Sequence, residues 1–317
     1  MRQNRRKKFK TFLDWHNFLA EKRAKKETSI DLYKYRRDCY KDIEKIRKRP
    51  LLVYAVKFPS NNLPVSIDIE DLDGFYDLVN STKKDNNEVD FLIHSPGGSP
   101  EATERIVTII RSKFKKVDFL IPHSAYSAAT MLALSGNNIL LHPEASLGPI
   151  DPQINGIPAR AIKRGFENAK KAIKKEGPEV LPAYVPLIEK YSLELLEICE
   201  DYEQLSKDLV TGWLNKYMFD GDDNKKGVID NAIDFFSKYD DHRTHGRPLT
   251  YDKLQGLDLK IDQTKDDLSA LLREAYILLS GLFSVTPFVK IYENSNEFSW
   301  GKQYLPATQQ STHSPED

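Results

Sequence analysis

Residues 89–134 read VDFLIHSPGGSPEATERIVTIIRSKFKKVDFLIPHSAYSAATMLAL, and this stretch decides the fold. Twice, at 89–93 and 117–121, the apolar run VDFLI ends in a turn and passes into residues with helical spacing. The first pass carries Ile106, Ile109 and Ile110 on one helical face, and the second runs into the compact apolar helix 128–134. Short apolar strands alternating with helices indicate βαβ units and a parallel sheet, an α/β fold class. Such units set reactive groups at the carboxyl edge of the sheet.

Outward from this stretch, Leu51–Val56 (LLVYAV) reads as a buried strand, 71–79 as a helix and 139–141 as a further short strand. Downstream, 159–175 (ARAIKRGFENAKKAIKK) is a basic amphipathic helix and 193–213 a longer one. A short helix at 250–256 and a strand at 257–261 follow, and 266–283 forms a last long helix. Upstream, residues 1–50 read as charged amphipathic helices with an aromatic face of Phe9, Phe12, Leu13, Trp15 and Phe18. The implied organisation is a basic helical extension over 1–50, an α/β domain over 51–262, a helical segment over 263–306 and a polar, disordered tail over 307–317.

The balanced charge, 47 basic against 47 acidic residues, hides an asymmetry, because residues 1–50 carry 18 Lys and Arg against 7 Asp and Glu. A basic arm of this kind suits an acidic face of its own protein, nucleic acid or anionic lipid, and solvated packing on its own domain is the plainest reading. It holds no nucleic-acid module, so specific nucleic-acid binding is not expected. Cys39 and Cys199 show no disulfide or zinc spacing, which fits a reducing, cytoplasmic compartment and no metal. No apolar segment follows the basic N-terminus as in a signal peptide, and the best apolar window, 275–285, is too short to span a bilayer. No phosphate loop or other cofactor motif is present.

The candidate chemistry lies at the two turns. Gly97 and Gly98 follow Pro96, and glycine permits the close approach and positive φ that aim backbone N–H groups at a developing negative charge. Ser127 stands at the start of an apolar helix, where orphan amides and the positive dipole end favour an alkoxide or oxyanion. The Ala128 amide is then the second oxyanion donor, by the logic of a nucleophile elbow. Each feature alone is a common turn or an N-cap; their combination points to nucleophilic catalysis.

Three motifs together, His94-Ser95-Pro96-Gly97-Gly98, Ala125-Tyr126-Ser127-Ala128-Ala129 and the run 143–153 (PEASLGPIDPQ), resemble the serine dehydrogenase proteinase family. That family is related to signal peptide peptidase A and the Clp protease proteolytic subunit. The resemblance covers roughly 51–261, closing on 244–250 (THGRPLT) and Gly256-Leu257, and 147–153 (LGPIDPQ) is its most specific element. It implies a Clp/crotonase-like spiral of βαβ units with added terminal helices, Ser127 as nucleophile and the Gly98 and Ala128 amides as oxyanion hole. Clp proteases carry a histidine roughly where Asp151 stands and an aspartate close to His245, so the roles are expected to be exchanged, with His245 the base and Asp151 its orienting partner. A triad is recognised by geometry and not by chain order.

Signal peptide peptidase A instead uses a lysine. Lys170, Lys171, Lys174 and Lys175 fall in its window on a solvent-facing helix, whereas Lys207, on a helix with an apolar face, is the better alternative base. His123 is a reserve base, His94 could approach the site, His242 could replace His245, and His142 reads as a strand-end residue. The leading expectation is a serine peptidase acting on peptides or unfolded proteins through an acyl-enzyme, assembled as a homo-oligomer as the family implies. A crotonase-like acyl-CoA enzyme using Glu101 or Glu104, and an inactive scaffold that binds partners through its basic arm, are the alternatives.

Overall fold

The computed structural model describes residues 6–27, 29–60, 63–83, 85–189, 191–192 and 194–305; the expected tail at 307–317 lies outside them. The first half of the chain runs α1 (Phe12–Ala24), α2 (Leu32–Arg47), β1 (Leu51–Val56), α3 (Asp71–Asn80), β2 (Glu88–His94), α4 (Pro100–Lys113), β3 (Lys116–Ile121), β4 (Ser124–Ala125), α5 (Ala128–Leu134), β5 (Asn138–Leu141) and β6 (Ser146–Leu147). A hairpin of β7 (Gln153–Ile154) and β8 (Ile157–Pro158) leads into the helices α6 (Ala159–Glu176), α7 (Leu181–Ile188) and α8 (Glu194–Trp213). Then come α9 (Lys226–Ser237), α10 (Tyr239–His242), β9 (Leu249–Thr250), α11 (Tyr251–Leu254), β10 (Ile261–Gln263), α12 (Asp266–Val285), β11 (Phe288–Asn294) and β12 (Ser299–Gln303).

The central sheet has the order β10-β5-β3-β2-β1-β11-β12. Pairing is parallel from β10 to β1 and antiparallel from β1 through β11 to β12. Every residue of β1 is buried, as expected for a parallel strand covered on both faces. Its alternate side chains serve two cores. Leu52, Tyr54 and Val56 pack with Phe75, Phe91, Ile106 and Phe119 on one face. Leu51, Val53 and Ala55 pack with Trp15, Phe18, Tyr40, Leu278 and Leu282 on the other.

The N-terminal helices therefore belong to the core, with Phe9, Trp15 and Phe18 buried while Leu13 faces solvent. Their guanidinium groups meet the acidic body. Arg36 makes bonds of 2.8 and 2.6 Å to the buried Glu293, Arg6 reaches Glu274 at 2.7 and 2.8 Å, and Arg47 bridges Asp90 and Asp118 at 2.7 Å each. Helix α12 is long and apolar enough to cross a membrane by length and composition, but most of it is buried between the sheet and the N-terminal helices.

Beyond α12 the pattern expected to be helical adds β11 and β12 to the sheet. Lys290 and Glu293 hide this strand in the sequence. Both are fully buried, and both are paired, Lys290 with Asp71 at 2.9 Å and Glu293 with Arg36. The strand expected at 257–261 instead begins at Ile261, after a 3₁₀ turn at Gln255–Leu257.

Candidate active site

A small sheet of order β4-β6-β9 sits beside the main one. Ser124 and Ala125 pair with Ser146 and Leu147 in parallel, and these pair with Thr250 and Leu249 antiparallel. Ser127 lies two residues past β4, Asp151 four past β6 and His245 four before β9. Three residues remote in the chain are thus delivered to one end of this sheet.

Ser127 has φ +53° and ψ −125°, a strained conformation for a side chain with a Cβ. It is the N-cap of α5, yet its side chain makes no capping bond. Its hydroxyl is therefore not spent on the helix. Several contacts hold the turn. Ala129 N–H donates to Tyr126 O at 2.9 Å, and the one proton of the buried Thr130 hydroxyl is shared between Ala125 O at 2.7 Å and Gly148 O at 2.9 Å. Tyr126 packs over Gly148, and its hydroxyl bonds Ser146 Oγ at 2.9 Å. The run 147–153 thus buttresses the serine turn as well as carrying Asp151.

The glycine loop is stitched to the same turn. Ser95 N–H donates to Ser124 O at 3.0 Å, and Tyr126 N–H donates to Ser95 O at 3.0 Å. Ile67 N–H donates to Gly97 O at 2.7 Å and Ser99 N–H to Ile67 O at 2.8 Å, so the intervening Gly98 N–H points away from Ile67. Gly97 (φ +96°) and Gly98 (φ +157°) have no room for a side chain, since a Cβ would lie 2.3 Å from Tyr126 O and 2.1 Å from Ile67 O. The Gly97 N–H is taken by Ser95 Oγ at 3.1 Å. Gly97 thus shapes the loop, while the amides of Gly98 and Ala128 have no acceptor among the described residues.

Asp151 is buried, and its Oδ1 lies 3.0 Å from His245 Nδ1; its Oδ2 has no partner among the described residues. Ser127, Ala128, Gly98 and His245 line one cleft of about 640 Å³. No hydrogen bond joins Ser127 to His245. The cleft wall includes the apolar Met131, Ile150, Ile154 and Ile198 and carries Glu101 and Tyr202.

The other residues weighed as bases lie elsewhere. Lys207 is half-buried on α8 and lines a separate depression with Glu203, Asp234 and Asp240. Lys170, Lys171, Lys174 and Lys175 are exposed on α6. His94 is buried, with Nε2 3.1 Å from Phe58 O, and burial pushes its pKa down to about 4. His123 stacks on Tyr276, ring centroids 4.3 Å apart, and burial lowers its pKa too. His142 Nδ1 accepts from Glu144 N–H at 3.1 Å at the end of β5, a structural strand-end contact. His242 is buried against Phe235 O at 2.6 Å. Glu104 is exposed and outside the cleft lining. No metal-binding group of side chains occurs among the described residues.

Sequence reasoning passed over Thr130 and the α8 wall. Thr130 had a signal, as the one hydroxyl within the apolar helix α5, whereas Ile198 and Tyr202 had none, because α8 arrives from far along the chain.

A mostly parallel α/β sheet thus carries a strained serine, two amides without acceptors among the described residues and an Asp–His pair on one cleft. Residues 26–279 match the family described as ClpP-like SDH-type serine proteinase, and the chain belongs to that family, with its Clp/crotonase-like fold. Two uncharacterized proteins of Methanocaldococcus jannaschii are similar, one 27% identical over 191 residues and the other 28% over 173. These matches cover 56% and 52% of this chain, and 65% and 60% of the relatives' own lengths, under two thirds in each case. Among solved structures, a ClpP1 mutant from Listeria monocytogenes is similar at a TM-score of 0.38 and 13% identity, over 72% of this chain and 98% of that one, a likeness too loose to bear on function or assembly.

Proposed function

We propose that the protein is a serine peptidase that cleaves peptides or unfolded proteins through an acyl-enzyme on Ser127. The observation that carries this reading is the 3.0 Å contact between Asp151 and His245 on the cleft that Ser127 lines. In the proposed reaction, Ser127 Oγ attacks the substrate carbonyl carbon and its proton passes to His245 Nε2. Asp151, bonded to Nδ1, holds the ring in the tautomer that leaves Nε2 free to accept, and stabilises the imidazolium that forms. The amides of Gly98 and Ala128 receive the oxyanion. His245 returns the proton to the leaving amine, then activates the water that releases the acyl group from Ser127.

An acyl-CoA reaction would leave the strained serine and the Asp–His pair without a task, and a scaffold would leave the strain without a return. Lys207 as base is disfavoured by its place in a different depression. We also propose that the chain works as a homo-oligomer, because Ile157, Leu181, Val185 and Tyr191 all expose apolar surface in the stretch 157–191. Cys39 and Cys199 are free and buried, which supports a reducing, cytoplasmic setting. The test is cleavage of unfolded casein and quenched peptides by purified protein. Activity lost in Ser127→Ala supports the reading, and activity equal in the two proteins refutes it.

A further inference from the structure

Among the described residues, the cleft beside Ser127 is lined by one carboxylate and no lysine or arginine. Apart from Glu101, its lining consists of apolar side chains, hydroxyls, amides, glycines and His245. Glu101 sits in the first turn of α4, three residues after Gly98, and lines the same cleft as Gly98 and Ala128. Ser99 Oγ donates to Glu101 Oε2 at 2.7 Å and itself accepts from Ala102 N–H at 3.0 Å, which fixes the carboxylate's direction. Burial pushes the Glu101 carboxyl up, but the Ser99 hydroxyl and its own backbone N–H outweigh this and hold it below the usual carboxylate value. Tyr202 lines the same cleft, and the charge of Glu101 pushes its phenol up. No lysine or arginine pairs with Glu101 among the described residues, and the residue is exposed, unlike the buried Glu274, Glu293, Asp90 and Asp71, each of which has such a partner.

We propose that Glu101, with Tyr202 beside it, is a recognition site for a cationic side chain, a lysine or arginine within two residues of the bond that Ser127 attacks. This deepens the peptidase reading and rests on it for the direction of the chain in the cleft. A carboxylate beside an aromatic ring suits an ammonium or guanidinium group, through the charge on one side and the ring face on the other. The apolar wall of Met131, Ile150 and Ile198 takes the aliphatic stem of such a side chain while its head meets Glu101. The same geometry disfavours an acidic peptide, whose charge would face Glu101 with no cation to offset it. The residue is a specificity determinant and takes no part in bond making.

Binding to Ser127→Ala protein tests this apart from turnover. Hexapeptides identical except for Lys, Leu or Glu at the central positions are titrated by calorimetry, at low and high salt. The Lys peptide should bind about fivefold or more tighter than the Leu peptide, with an advantage that shrinks in salt and vanishes in the Ser127→Ala/Glu101→Gln protein. Equal binding of the three peptides, no binding of the Lys peptide, or an advantage that survives Glu101→Gln overturns the proposal. Failure of wild-type protein to hydrolyse any of them speaks against the peptidase reading and leaves the binding result as it stands. A melting temperature of Ser127→Ala/Glu101→Gln within a few degrees of that of Ser127→Ala shows that the variant keeps its fold.

Discussion

Asp151 Oδ1 and His245 Nδ1 meet at 3.0 Å across 94 residues of chain, with the aspartate buried and the imidazole partly open to the Ser127 cleft. The contact sets the imidazole's tautomer, and with it which nitrogen faces the cleft. Asp151→Asn keeps the shape and reverses that choice, because an amide N–H would meet Nδ1. The expected result is a fall in kcat/KM of about 10³ to 10⁴ with KM little changed, read in steady-state peptide hydrolysis.

Gly98 is backed by Ile67 so closely that a Cβ would stand 2.1 Å from its carbonyl oxygen. Gly98→Ala must push the loop into the cleft and turn the Gly98 amide aside. A loss of about 10² to 10³ in kcat is expected, the cost of one oxyanion donor, with the melting temperature within a few degrees of wild type. Parallel kinetics and thermal melts check both parts.

Lys290 is buried against Ser66, the residue before Ile67. Its ammonium donates to Ser66 O at 2.6 Å and to both oxygens of the buried Asp71 at 2.9 Å, while Tyr292 also donates to Asp71. Lys290→Met leaves the buried Asp71 with Lys302, 3.6 Å away, as its one cation among the described residues. The expected destabilisation is about 3 kcal/mol or more by chemical denaturation. Lys290→Met/Asp71→Leu should recover much of it, since removing both charges is far milder than orphaning one.

The same pair explains what was legible in the sequence. The strands at 51–56, 89–93 and 117–121 announced themselves because a parallel strand covered on both faces is apolar throughout. The glycine turn and the serine at the start of α5 were legible because each is a local pattern of neighbouring residues. Strand β11 was not, since Lys290 and Glu293 point inward and look like solvent-facing charges until Asp71 and Arg36 arrive from elsewhere. His245 and Asp151 were reached only through the resemblance, because no local pattern joins residues so far apart.

His94 makes a prediction about pH. Buried and bonded through Nε2 to Phe58 O, with Nδ1 unpartnered, it stays neutral down to about pH 4, whereas its ordinary value is 6.5. The unfolded chain takes up the proton first, so the folded state has its full stability above about pH 6.5 and loses it as pH falls toward 4. The loss from this group approaches about 3 kcal/mol. Denaturation curves between pH 7 and 4 should show this slope, and His94→Gln, which keeps a donor for Phe58 O, should flatten it.

The central claim is that His245 activates Ser127. The most direct measurement is the rate of fluorophosphonate labelling, with the modified residue located by peptide mass spectrometry. The adduct should fall on Ser127, disappear in Ser127→Ala, and form about 10²-fold or more slowly in His245→Ala. An adduct on another residue, or a labelling rate that His245→Ala leaves unchanged, would contradict it.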